Sequence, residues 1–247
     1  MRIRVFPTQD SAARALAADV AAAVRAQPAL VLALPTGRTP ISFYRYLTAL
    51  HREKRVDFSR VTAFNLDEFV GIAPSDPRSY RTYMQRHFFD HVNLSPRRIH
   101  FLNGIASDVE AECRRYERAI ARAGGVDVMI LGLGRNGHVG FNEPARFLIA
   151  RTHLTKLVAA TREANRALFG SRVADVPRSA LSIGIGTILS ARRIILVATG
   201  AGKSRSVERM VNGPVTPELP ASFLQLHAAV DLWLDGASAR RLRGARG

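Results

Sequence analysis

Apolar residues recur along this chain in two alternating registers. Short runs rich in Val, Ile and Leu lie at Arg2–Phe6, Ala29–Leu34, Val61–Leu66, Val126–Leu131, Arg193–Ala198 and Val230–Leu234, as expected of strands buried on both faces. Between most of them, apolar positions spaced by three and four predict helices over Ser11–Ala26, Ile41–Arg52, Ser79–His91, Val109–Ala123 and Lys203–Val211. Asp76 followed by Pro77 supplies a start signal for the third helix. Strands alternating with helices predict an α/β, Rossmann-like fold with a largely parallel sheet and helices on both faces. A chain of 247 residues without a Ser/Gly-rich linker or internal repeat predicts one domain spanning 1–247, with a flexible tail at 239–247.

The loop after Val126–Leu131 concentrates the chemistry. Gly132-Leu-Gly-Arg-Asn-Gly-His-Val-Gly-Phe-Asn-Glu-Pro144 places glycines, His138 and Glu143 beyond a strand end, where open α/β sheets collect their ligands. Gly132, Gly134 and Gly137 also spell the dinucleotide fingerprint. That reading fails because the fingerprint needs a helix opening at its third glycine, and Gly140 and Pro144 interrupt any such helix.

Three other places carry candidate chemistry. Pro35-Thr36-Gly37-Arg38-Thr39-Pro40 joins a strand to a helix, a junction that is either an ordinary tight turn or a seat for an anion. Asp67 follows the strand Val61–Leu66 and can project into a cleft, with its neighbour Glu68 directed elsewhere; a carboxylate there is also a natural cap or ion-pair partner. His87 and His91 lie one helical turn apart, but without a third ligand no metal site is assigned. Gly202-Lys203-Ser204 is not a nucleotide-binding loop, because Val197 stands where that loop needs glycine.

Charge changes the picture less than its size suggests. The net charge of +16 would point to nucleic acid, yet the basic residues are arginines scattered along the chain, with only Lys54, Lys156 and Lys203 as lysines. That skew reads as coding bias, so nucleic acid is not the expected partner. No run approaches the ~18 apolar residues of a membrane span, and the start lacks a signal peptide's apolar core, so a cytoplasmic protein without membrane attachment is expected. Cys113 has no cysteine to pair with and falls in a helical pattern, as a buried apolar residue would. A homo-oligomer is left open.

Taken in order, Leu34-Pro-Thr-Gly-Arg-Thr-Pro40, Phe64-Asn-Leu-Asp-Glu-Phe69, the glycine loop ending Phe141-Asn-Glu-Pro144, Thr161-Arg162 and Ser222-Phe-Leu-Gln-Leu-His227 resemble the glucosamine-6-phosphate deaminase family, a relative of 6-phosphogluconolactonase. The resemblance implies an enzyme converting glucosamine 6-phosphate and water to fructose 6-phosphate and ammonia, without metal or organic cofactor. It implies that Asp67 is the base at carbon 2, that His138 opens the sugar ring, and that Glu143 supports His138. It also implies that Thr36, Gly37, Arg38, Thr39, Arg162 and Lys203 hold the phosphate. Asn136 stands where the family pattern has a catalytic aspartate, and Arg135 where a small polar residue is common. An amide cannot stabilise an imidazolium as a carboxylate does, so a lactonase-like hydrolase and a non-catalytic sugar-phosphate sensor remain as alternatives.

Overall fold

The computed structural model describes residues 1–170 and 172–242. Its elements run β1 (Arg2–Phe6), α1 (Gln9–Ala26), β2 (Val31–Leu34), α2 (Ile41–Arg52), β3 (Thr62–Asn65), β4 (Asp67–Phe69), α3 (Tyr80–His87), β5 (Ile99–His100) and α4 (Val109–Arg122). They continue with β6 (Val128–Gly132), β7 (His153–Lys156), α5 (Ala159–Asn165), β8 (Ser179–Ser182), α6 (Ile185–Leu189), β9 (Arg193–Ala198), α7 (Ser204–Asn212), β10 (Val230–Asp235) and α8 (Gly236–Ala239).

Seven strands form one sheet in the order β1-β10-β9-β6-β2-β3-β5, every neighbour parallel. Alternate residues of each strand serve opposite faces. In β6, Met129 and Leu131 meet α4 and α7 through Tyr116, Ile120, Val207 and Met210, whereas Val128 and Ile130 face α1, α2 and α3 through Leu16, Phe43, Leu47 and Met84. The expected α/β architecture with helices on both faces is therefore the observed one.

Strand order reverses between β2 and β6. The chain leaves β2 towards β3 and leaves β6 towards β9, so the loops after β2 and β6 part and leave a crevice at the carboxyl ends. A pocket opens there, lined among others by Pro35, Thr39, Gly132 and Thr199.

Local structure departs from the sequence pattern in several places. The helix expected over Ser79–His91 stops at His87, where Phe88 leaves helical geometry at φ −147°, and Phe89–His91 form a separate 3₁₀ turn. His87 and His91 thus do not share a helix face. Asp76 is not the start: Ser79 caps α3, its hydroxyl accepting from Thr82 N at 3.0 Å. Lys203 belongs to the 3₁₀ turn Ala201–Lys203, and α7 begins after it. Of the tail expected at 239–247, Ala239 is buried in α8 and Leu242 packs on the core; 243–247 lie outside the described residues.

The sequence pattern missed a second, antiparallel sheet in the order β4-β8-β7. It grows from the end of β3 after the single residue Leu66 and roofs one side of the crevice. Leu181 of β8 sits opposite Glu68 and Leu154, and its fully buried side chain joins the main core. Leu181→Ala is expected to destabilise the protein by about 2–5 kcal/mol, as large-to-small changes in tight cores do; urea denaturation followed by circular dichroism measures it, and a loss under ~1 kcal/mol would show that this sheet is not anchored through Leu181.

Candidate active site

Asp67 opens β4 opposite Ser182 of β8 and is only 6% exposed. Burial, and secondarily the charge of Glu68, pushes its carboxyl up to about 8. Glu68 is more buried still, at 2%, but it turns away from the crevice towards α3. There it accepts hydrogen bonds from Phe69 N at 2.9 Å, Tyr80 N at 3.0 Å and Arg81 N at 3.2 Å. Burial dominates in Glu68 and lifts it to about 7, although those amides pull the other way. Asp67 draws no such relief from the protein, among the described residues. A buried carboxylate left in that state is a strong base.

Glycines in the β6 loop bring the second half of the site to the first. The imidazole of His138 lies flat against Gly134, so closely that a Cβ on residue 134 would come within 2.4 Å of Nδ1. Gly137, at φ +89°, is crowded by Leu219, whose Cδ1 would stand 2.2 Å from an added Cβ. At Gly140 the chain returns to β4: a Cβ there would lie 3.1 Å from Ser182 Oγ and 3.8 Å from Asp67 Oδ2. The loop that carries His138 and Glu143 therefore reaches Asp67 at Gly140.

Within the loop, His138 Nδ1 stands 3.4 Å from Glu143 Oε2 and 3.4 Å from Thr161 Oγ1. Asn136 donates its amide N–H to the same Glu143 oxygen at 2.9 Å, while its carbonyl oxygen accepts from the backbone N–H of His138 at 3.3 Å. Asn136 thus orients Glu143 rather than the imidazole ring. Burial acts upward on Glu143, but hydrogen bonds from His138, Thr161 and Asn136, with the nearby imidazole, outweigh it and hold its carboxyl below the usual value.

Across the crevice, Thr36, Gly37, Arg38 and Thr39 form the loop between β2 and α2. Gly37 takes φ +105°, open to glycine alone without strain, and its carbonyl accepts from Tyr83 Oη at 2.5 Å. Pro40 heads α2 without a side-chain cap, leaving the first amides of a 12-residue helix to face an anion. Tyr80, missed in the sequence, ties the parts together: its hydroxyl senses both Thr36 and Asp67 and meets Asn165 Oδ1 at 3.3 Å. Lys203 is half-buried, and burial, then Arg135, pushes its amine down to about 8. Arg162 is the outlier, its guanidinium donating to the carbonyls of Val173 at 2.7 Å and Val176 at 3.3 Å.

The switch-point crevice holds a buried carboxylate on β4 and an imidazole–carboxylate pair on the glycine loop, and sequence comparison supplies the family. The chain belongs to the Glucosamine-6-phosphate isomerases/6-phosphogluconolactonase family, which matches residues 7–233. It is 47% identical to a glucosamine-6-phosphate deaminase of Halothermothrix orenii over 98% of this chain and 100% of the relative. Identity to the corresponding protein of Clostridioides difficile is 43%, over 98% and 97%. A solved glucosamine-6-phosphate deaminase described as monomeric superposes with a TM-score of 0.94 at 40% identity, covering 97% of this chain and 99% of that one. The 6-phosphogluconolactonase of Thermotoga maritima shares the fold at a TM-score of 0.72 and 17% identity. Among the described residues, no helix is long and apolar enough to cross a membrane.

The raised Asp67 value has a consequence for stability. An aspartate titrates near ~4 in an unfolded chain and at about 8 here, so between those values the folded state binds the proton more tightly. Stability from this group is present at low pH and lost as pH rises through that window. Asp67→Asn, which does not titrate, is expected to gain stability relative to wild type between about pH 5 and about pH 9. Denaturant melts of both proteins at the two pH values measure it; a constant difference would show that Asp67 is not desolvated.

Proposed function

We propose that this enzyme deaminates and isomerises glucosamine 6-phosphate, with water, to fructose 6-phosphate and ammonia. The observation that carries the reading is the placement of Asp67, a buried carboxylate without a protein hydrogen-bond donor among the described residues, beside Gly140 of the loop that carries the His138–Glu143 pair. His138 moves a proton between the ring oxygen and the anomeric hydroxyl, and Glu143 steadies the charge that forms on the imidazole. Asp67 then takes the proton from carbon 2 of the open chain and returns it at carbon 1. The double bond shifts to the carbon 2–nitrogen bond, water adds at carbon 2, and ammonia leaves. Burial suits Asp67 to this step, since a carboxylate of ordinary basicity is poorly matched to a carbon acid.

The phosphate is assigned to the amides and hydroxyls of Thr36, Gly37 and Thr39, with Arg38 and Lys203 supplying charge. Arg162 joins them by turning out of its carbonyl contacts. One chain supplies every residue named, so the reading needs no second copy. The lactonase alternative has a shared fold in its favour and little else.

Asp67→Asn is expected to lower ammonia release by about 10²–10⁴, the usual worth of a general base, while fructose 6-phosphate still binds by calorimetry. Assays with glucosamine 6-phosphate and galactosamine 6-phosphate in parallel fix the epimer. Wild-type protein that binds both and releases ammonia from neither is a sensor, and the proposal fails. Asn136→Asp sets a second carboxylate against Glu143, and such pairs hold a proton to higher pH; the pH–rate profile is expected to move upward, and an unmoved profile would separate Asn136 from proton transfer.

A further inference from the structure

Arg135 and Lys203 come from different loops and converge. The carbonyl of Arg135 accepts from Ser206 Oγ at 2.5 Å, which fastens the β6 loop to the first turn of α7. From there the Arg135 side chain crosses the turn before α7, so that a Cβ on Gly202 would lie 3.4 Å from Nε and 3.8 Å from Cζ. The next residue is Lys203, half-buried and close enough for the guanidinium to act on its amine. Lys203 also heads α7, nine residues long, and makes no side-chain cap there. From the other side Arg240 Nε approaches Ser204 Oγ at 3.3 Å.

No carboxylate answers this charge. Neither Arg135 nor Lys203 has an ion-pair partner among the described residues, whereas Arg2, Arg115, Arg192 and Arg193 each sit on one. Of the acidic groups in this part of the fold, Asp235 is spent on Gly200 N at 3.0 Å and Ser238 N at 2.8 Å, and Glu208 of α7 lies 3.6 Å from Arg241. Two cations held together at the positive end of a helix repel one another unless an anion joins them. An exposed arginine with nothing to hold it would extend into water; this one is laid against the backbone of Gly202, next to Lys203.

We infer that Arg135 is a specificity-determining residue of this chain, forming with Lys203 a two-cation clamp on the substrate's phosphate dianion. The inference rests on the sugar-phosphate reading above and adds to it a residue that lies outside the resemblance. Arg135 offers a planar fork to two phosphate oxygens while Lys203 contributes a point charge. A bound dianion also favours the charged form of Lys203, so each cation strengthens the other's hold through the ligand.

The test compares wild type with Arg135→Gln and Arg135→Lys, reading kcat and KM for glucosamine 6-phosphate and, separately, the Kd for inorganic phosphate by calorimetry. Arg135→Gln is expected to raise both KM and Kd about ten-fold, the worth of one charge-assisted hydrogen bond, with kcat changed by less than about two-fold because the contact is the same in ground and transition states. Arg135→Lys is expected to recover part of both. The dependence of kcat/KM on ionic strength should flatten in Arg135→Gln. KM and Kd of Arg135→Gln within about two-fold of wild type, or wild type that binds no phosphate, would overturn the clamp. If instead wild type releases no ammonia while Arg135→Gln still weakens phosphate binding, the clamp stands and the deaminase reading falls.

Discussion

Two adjacent buried carboxylates, Asp67 and Glu68, set the terms for the rest of the crevice. Neighbouring acids in low dielectric repel, and a fold tolerates them only if one is neutralised or richly hydrogen-bonded. The strand alternation of β4 sends them to opposite sides. Glu68 receives three backbone amides, two of them from the first turn of α3, where helix N-termini are short of acceptors. That arrangement secures α3 beneath the site and sets Tyr80 over it. Asp67 keeps the unfavourable position, dry and close to a like charge, and its basicity follows from that placement. The strain of the site is thus local, and the surrounding sheets oppose it.

Those sheets explain why the strain persists. Asp67 and Glu68 sit on β4, which is paired to β8, and β8 delivers Leu181 to the main core while Ser182 holds the glycine loop through Phe141 N at 3.0 Å. A shift of Asp67 towards water would therefore disturb the core, the second sheet and the His138 loop together. Glycine enters this argument as missing volume. Gly134 leaves room for the imidazole of His138 and Gly140 for the approach to Asp67, so backbone, and no side chain, carries the loop past both groups.

Much of this was legible in the sequence, and the remainder was not for identifiable reasons. The parallel sheet showed because Val126–Leu131 and Arg193–Ala198 are continuous apolar runs, which both-face burial demands. The second sheet was hidden because Asp67-Glu-Phe69 and Ser179-Ala-Leu-Ser182 are short and half polar, so their pairing is a tertiary fact. Asp67, His138 and Glu143 stood out through their motifs. Tyr80 did not, since an aromatic residue at the head of a helix normally fills core, and Tyr80 does that too, against Phe69 and Phe141. The end of α3 was missed because nothing in His87-Phe-Phe-Asp-His91 breaks a helix by propensity; Phe88 leaves it to pack on Tyr44 and Phe58.

Asn136 shows how far a motif can be read without its geometry. From sequence, an amide in place of a carboxylate reads as a weakened partner for the histidine. In the fold it sits on Glu143, and an amide is the better neighbour there: it donates to the carboxylate, where an aspartate would compete with it for a proton. Glu143 stays ionised and remains the single negative charge beside the imidazole, which also contacts Thr161. One carboxylate oriented by an amide and two carboxylates sharing a proton are alternative ways of placing negative charge beside an imidazole. The first leaves the loop with less charge to bury, and this chain, whose Asp67 already occupies the most unfavourable position in the crevice, has the first.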